Sequence, residues 1–123
     1  MGPSGVSAVD VNLDGTIDIV VASEGSNDLT WHSNSGGGSF GVAVTIASGL
    51  VGARTLYVSD FTNDGLPDIV VGCYWANSIV IVVGAGGGAF GAPVTVSATA
   101  SGVYSVTAAD INGDAFMDIV SAE

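Results

Sequence analysis

Shifting the 123-residue sequence by fifty positions lays it on itself without a gap. Asp14-Gly15 meets Asp64-Gly65, and Asp18-Ile19-Val20-Val21 meets Asp68-Ile69-Val70-Val71 and then Asp118-Ile119-Val120. Gly36-Gly37-Gly38-Ser39-Phe40-Gly41 meets Gly86-Gly87-Gly88-Ala89-Phe90-Gly91, and Val44-Thr45 meets Val94-Thr95. Such a period means one supersecondary unit copied along the chain, each copy burying its apolar face only against its neighbours. The sequence holds about two and a half units, at approximately 1–50, 51–100 and 101–123, in one repeat domain spanning 1–123.

The pattern within a unit is β. Ile19–Ala22, Leu29–Ser33, Ile79–Val83 and Val94–Ser97 are short runs rich in β-branched residues, bounded by Gly, Asn, Asp or Ser. No window sustains a helical period of apolar residues. The glycine runs at 36–38 and 86–88 read as hairpin turns that need positive φ. They lack the Lys and following helix of a phosphate loop. Four strands per unit are expected, the first pair near Val6–Asp10 and Ile17–Ala22 around an acidic loop. The second pair lies near Asp28–Asn34 and Val42–Ala47, around the glycine-rich turn. Four short antiparallel strands repeated every 40–50 residues or so point to a propeller blade. The expected fold class is therefore all-β, a partial β-propeller of four-stranded antiparallel blades.

The negative charge follows the same period. Nine of the twelve acids fall in three clusters, Asp10/Asp14/Asp18, Asp60/Asp64/Asp68 and Asp110/Asp114/Asp118. The net charge is −11 and Arg54 is the single basic residue, yet 48% of residues are hydrophobic. A mean hydropathy of +0.60 excludes a disordered acidic tail. One cation cannot make a nucleic-acid face, and the lone Cys73 cannot make a disulfide scaffold. No apolar run reaches the roughly 18 residues of a membrane-spanning helix, so no membrane insertion is expected. Met1–Val9 lacks the basic residues and long apolar stretch of a signal peptide.

Three carboxylates within nine residues repel one another unless a positive charge sits among them, and Arg54 cannot serve three clusters. A bound cation answers this. In Asp10-Val11-Asn12-Leu13-Asp14-Gly15-Thr16-Ile17-Asp18, oxygen side chains fall at loop positions 1, 3, 5 and 9, with Gly at 6. Alternate residues turn their oxygens to one centre, the Thr16 carbonyl adds another, and Asp18 closes the site from the next strand. An all-oxygen, loop-built donor set selects Ca2+ over zinc, copper or magnesium. An EF-hand is excluded, because its position-12 Glu is replaced by Val21 and flanking helices are missing. The competing reading is a set of turns whose Asp and Asn cap backbone amides.

The loops are not equal. The second has Thr62, a weaker ligand, in place of Asn12, with Asn63 as a compensating donor. The third keeps Asp110, Asn112, Asp114 and Asp118 but puts Ala115 where Gly is expected, at a cost on the order of 1 kcal/mol. The expected order of affinity is first, third, second.

The combined motif, an Asp-x-Asn-x-Asp-Gly-x-x-Asp loop running into Ile-Val-Val and followed by Gly-Gly-Gly-Ser-Phe40-Gly41 or Phe90-Gly91-Ala92-Pro93, resembles the FG-GAP/VCBS repeats of integrin-α-type β-propellers. The resemblance covers essentially the whole chain. It implies that each acidic loop joins the two innermost strands of a blade and binds calcium. Carried over by position, the ligands are Asp10, Asn12, Asp14, the Thr16 carbonyl and Asp18. The second loop matches with Asp60, Thr62, Asp64, Leu66 and Asp68, and the third with Asp110, Asn112, Asp114, Phe116 and Asp118. It implies an extracellular or cell-surface module for binding, adhesion or structural assembly rather than catalysis, with a protein or glycan as possible ligand.

One His, one Cys and one Arg leave no nucleophilic or acid–base constellation, so no enzyme is expected. His32 is read as a surface or packed residue and Cys73 as a buried small hydrophobe. Trp31, Tyr57, Tyr74, Trp75 and Tyr104 support an alternative, a carbohydrate-binding lectin, against packing between blades. A closed propeller takes four to eight blades. Three inner hairpins and two outer ones leave open edges, so a homo-oligomer, with a two-fold dimer favoured, is expected. The rival reading is a fragment of a longer propeller.

Overall fold

The structure, a computed structural model, describes residues 2–123. Every regular element among them is a β-strand. In the first unit β1 (Pro3–Val9), β2 (Asp18–Ser23), β3 (Asp28–His32) and β4 (Val44–Ser48) form an antiparallel meander in that order. The second unit contains β5 (Ala53–Ser59), β6 (Asp68–Cys73), β7 (Ser78–Val82), β8 (Gly84–Gly86), β9 (Ala89–Phe90) and β10 (Val94–Ser97). There β5, β6, β7 and β10 repeat the meander, while β8 and β9 pair as a small ladder inside the glycine-rich hairpin. The third unit is the hairpin of β11 (Ser105–Ala109) and β12 (Asp118–Ala122).

The register repeats with the sequence. Val9 faces Asp18, Ser59 faces Asp68 and Ala109 faces Asp118, so each acidic loop closes the same hairpin. The expected strands of the first unit lie within about three residues of those observed. The largest difference is at β1, which begins at Pro3 rather than Val6, and β3 ends at His32 rather than Asn34. The chain there leaves the ladder for a long hairpin closed by Gly41 N–H on Ser33 O at 2.8 Å. Its tip needs three successive left-handed residues, Gly36, Gly37 and Gly38, and Gly86, Gly87 and Gly88 repeat them. Any side-chain-bearing residue would resist that path.

Strand β5 packs against both β1 and β11, and also reaches β2, so the first strands of the three units lie side by side. The middle sheet is thereby covered on both faces. Ile69, Val71 and Cys73 of β6 point into one core with Val20, Ala22, Leu29 and Leu56. Val70 points the other way, into a second core with Ile79, Ala100, Val103 and Val106. Every residue of β6 is buried, whereas β2 alternates buried with half-buried and β12 has no buried residue. Gly72 lets the second core close, since a Cβ there would lie 2.6 Å from Thr55 Cγ2 and 2.7 Å from Val103 Cγ1. Trp31 ties the first unit to the second, its ring lying where a Cβ on Gly88 would stand. Among the described residues no partner meets its buried indole N–H.

Candidate metal-binding loops

Each acidic loop is a coil wound around its own side-chain oxygens. In the first, Asp10 Oδ1 accepts from Asp14 N–H at 3.1 Å and Oδ2 accepts from Gly15 N–H at 2.8 Å. Asn12 Oδ1 also accepts from Asp14 N–H, and its amide donates to Asp14 Oδ2 at 2.8 Å. Asp14 Oδ1 accepts from Thr16 N–H at 2.8 Å, with the Thr16 hydroxyl in reach of the same oxygen. The third loop reproduces this set. Asp110 takes Gly113, Asp114 and Ala115 N–H, Asn112 bridges to Asp114, and Asp114 takes Phe116 N–H. The second keeps the Asp60 and Asp64 bonds, to Asp64, Gly65 and Leu66 N–H. The Thr62 hydroxyl instead donates to Asp68 Oδ2 at 3.2 Å. The Asn63 amide reaches Ala115 O in the next loop, so it does not stand in for Asn12.

The backbone carries a feature the sequence reading did not assign. Position 4 has positive φ in all three loops, at Leu13 (60°), Asn63 (57°) and Gly113 (80°), as does position 6 at Gly15 (90°), Gly65 (84°) and Ala115 (71°). The expected strain at Ala115 is present, but Leu13 carries an equivalent one in the first loop. The second loop, with Asn63 and Gly65, has the most relaxed backbone. Strain and donor set therefore rank the loops differently. The column Leu13, Asn63, Gly113 held the signal, because two of its three residues favour that conformation.

Position 9 has a role of its own. Asp18 and Asp68 are completely buried. Asp18 Oδ2 accepts from Val11 N–H at 3.1 Å and Oδ1 from Asn34 N–H at 2.8 Å. Asp68 Oδ2 accepts from Phe61 N–H at 2.9 Å and Thr62 N–H at 3.0 Å, and Oδ1 from Gly84 N–H at 2.8 Å. Each carboxylate thus clamps the start of its acidic loop to the chain leaving the third strand, where the glycine-rich hairpin begins. Asp118 accepts only from Ile111 N–H, at 3.0 Å. Among the described residues no three carboxylate, imidazole or thiol groups gather into a ready cation cage. The first and third loops bring positions 1, 3 and 5 together by hydrogen bonds, and the first and second turn position 9 inward.

Among the described residues the charge in these loops has no protein counter-ion. Arg54 lies elsewhere, its guanidinium stacked 4.7 Å from the Tyr74 ring and 4.5 Å from the Tyr104 ring. Asp14 is held below the ordinary carboxylate pKa, first by the Thr16 hydroxyl, then by the Thr16 amide and Asn12. Hydrogen bonds to the carboxylate favour its charged, oxygen-donor form.

The remaining candidates separate cleanly. His32 Nδ1 lies 3.3 Å from Gly41 O on a half-buried strand end. Cys73 is a buried free thiol, its pKa pushed up by desolvation against a weaker opposing bond from Ser78. Trp31 packs between units and Tyr57 packs against the second core. Tyr74, Trp75 and Tyr104 cluster at the other end of the sheets.

A family model described as FG-GAP-like repeat matches the chain twice, over residues 10–71 and 60–121. Each match begins on the first Asp of an acidic loop and runs through the next loop into its Ile-Val strand. No curated protein matches the chain significantly.

Proposed function

Because this chain belongs to the FG-GAP-like repeat family, we propose that it is a calcium-binding β-propeller module that serves extracellular binding, adhesion or structural assembly. Repeats of this family are typical of extracellular proteins and are generally non-enzymatic. No helix among the described residues is long and apolar enough to cross a membrane. The observation that carries the metal reading is uncompensated charge: nine carboxylates stand in three coils, and the single guanidinium is stacked over two tyrosine rings elsewhere.

The donor chemistry fits a hard cation. The residues that would hold it are Asp10, Asn12, Asp14 and the Thr16 carbonyl in the first loop, with Asp60, Asp64, Leu66 and, once released from Asp68, Thr62 in the second, and Asp110, Asn112, Asp114 and Phe116 in the third. Asp18, Asp68 and Asp118 would add oxygen lone pairs left over from their backbone bonds. Calcium supplies charge neutralisation. Three divalent ions carry six positive charges and bring the net charge from −11 to −5. The residues do the rest: the clamp at position 9 passes order from the loop to the glycine-rich hairpin, coupling metal to the stability of a blade.

The side-by-side first strands support reading the three units as consecutive blades about one axis. Further blades close the ring, and a second copy of the chain is the partner proposed to supply them. Val6 on β1 is 71% exposed, and Ile111 and Phe116 are also exposed on the third unit, which leaves apolar surface at both ends of the arc. Thermal unfolding tests the metal reading. Calcium raises Tm over EDTA, and Asp14→Ala removes more of that gain than Glu123→Ala does. Equal gains in the two variants would sink it.

A further inference from the structure

The turns opposite the acidic loops hold a charged aromatic patch that neither core uses. Trp75 lies in the turn after β6, whose other end receives the acidic loop at Asp68. It is 59% exposed, and Tyr104 is 58% exposed. These rings are held in place. The Trp75 indole N–H donates to Glu24 Oε1 at 2.8 Å, and its Cδ1 edge lies 2.6 Å from where a Cβ on Gly52 would stand. Tyr74 meets Trp75 and Tyr104 edge to face, at 4.7 Å and 5.3 Å between centroids. The Arg54 guanidinium lies over both tyrosine rings, 4.7 Å from the Tyr74 centroid and 4.5 Å from that of Tyr104. Glu24 comes from the first unit, Arg54, Tyr74 and Trp75 from the second, and Tyr104 from the third.

Trp31, which joins the first two units, is half-buried, and its indole N–H is shut away from water. The Trp75 indole is pinned at its pyrrole edge, and more than half of it faces water. The ordering cost of a binding surface is already met. The geometry points to a recognition site for a neutral pyranose sugar, with Trp75 stacking on its apolar C–H face and Arg54 and Glu24 bonding adjacent hydroxyls. A cationic ligand is disfavoured, because the Arg54 guanidinium already lies over both tyrosine rings. An acidic sugar is disfavoured by Glu24 and by a net charge of −11. A hydroxyl can accept from a guanidinium and donate to a carboxylate, so a neutral polyol satisfies both charges at once. This assignment rests on the chain being a binding module and not on its metal loops.

The test is titration of the whole chain, in calcium, with lactose, cellobiose and chitobiose, read by Trp fluorescence, and with sialyllactose as the acidic comparison. At least one neutral disaccharide shifts the emission of the exposed indole, and sialyllactose binds at least tenfold more weakly. Trp75→Ala weakens binding at least tenfold and Tyr104→Ala weakens it several-fold. Val42→Ser, on an exposed residue at the far end of the sheet, leaves it unchanged. A folded, calcium-loaded chain that binds none of the neutral sugars, or prefers sialyllactose, overturns the assignment and leaves the metal reading intact. Sugar binding without calcium uptake upholds the assignment and overturns the metal reading instead.

Discussion

Replacing the ninth-position aspartates one at a time separates a clamp from a mere ligand. Asp68 is fully buried and holds Phe61 N–H, Thr62 N–H and Gly84 N–H, together with the Thr62 hydroxyl. Thr62 is exposed, so water replaces its bonds, but Gly84 is buried and Phe61 is partly so. Two bonds to an ionised acceptor, lost with their donors left dry, cost about 3–6 kcal/mol. Asp18, holding buried Val11 N–H and half-buried Asn34 N–H, belongs in the same range. Asp118 holds one exposed amide, so its loss costs about 1 kcal/mol or less. Domain stability is about 5–15 kcal/mol, so Asp68→Ala alone comes near to unfolding the chain. Asp68→Asn keeps one acceptor and turns an NH2 toward a backbone donor, which costs about half as much. The assay is urea unfolding in EDTA, where loss of a metal ligand contributes nothing. Equal costs at Asp18, Asp68 and Asp118, or costs below about 1 kcal/mol at all three, would refute the clamp.

Other expectations follow from single residues. Ala115→Gly and Leu13→Gly each relieve a left-handed residue, and after the entropy gained by the unfolded chain each stabilises by about 0.5–1 kcal/mol, readable by urea melts. Gly72→Ala, at a position where the first and third units carry Ala22 and Ala122, drives a methyl into Thr55 and Val103 and destabilises by about 1–3 kcal/mol in the same assay. Because the folded pKa of Asp14 lies below its ordinary 3.8, its contribution to stability is present above that value. It is lost as pH falls through the lower folded value. Thr16→Val raises the Asp14 pKa back toward 3.8, measured by NMR titration of the carboxylate.

The parts of this fold written locally are the parts legible in the sequence. The repeat, the hairpins and the acidic coils depend on contacts within a few residues, such as Asp10 with Asp14 and Gly15. The role of position 9 was not legible, because Asp18 meets Asn34 and Asp68 meets Gly84 sixteen residues away, after a whole strand has intervened. Burial was equally hidden. The same Ile-Val run begins β2, β6 and β12, yet only the middle copy has a neighbour on both faces. Trp31 and Trp75 likewise look alike as letters. One meets a glycine hairpin of the next unit, and the other stands on a turn with nothing packed over most of its surface.

The most direct test of the metal reading is native mass spectrometry of the chain in calcium and in EDTA, which counts ions and chains together. The account predicts up to three calcium ions per chain, with the second loop filling last because Thr62 points away from it, in an assembly of more than one copy. A metal-free chain in millimolar calcium would contradict it and leave the acidic loops as hydrogen-bonded turns.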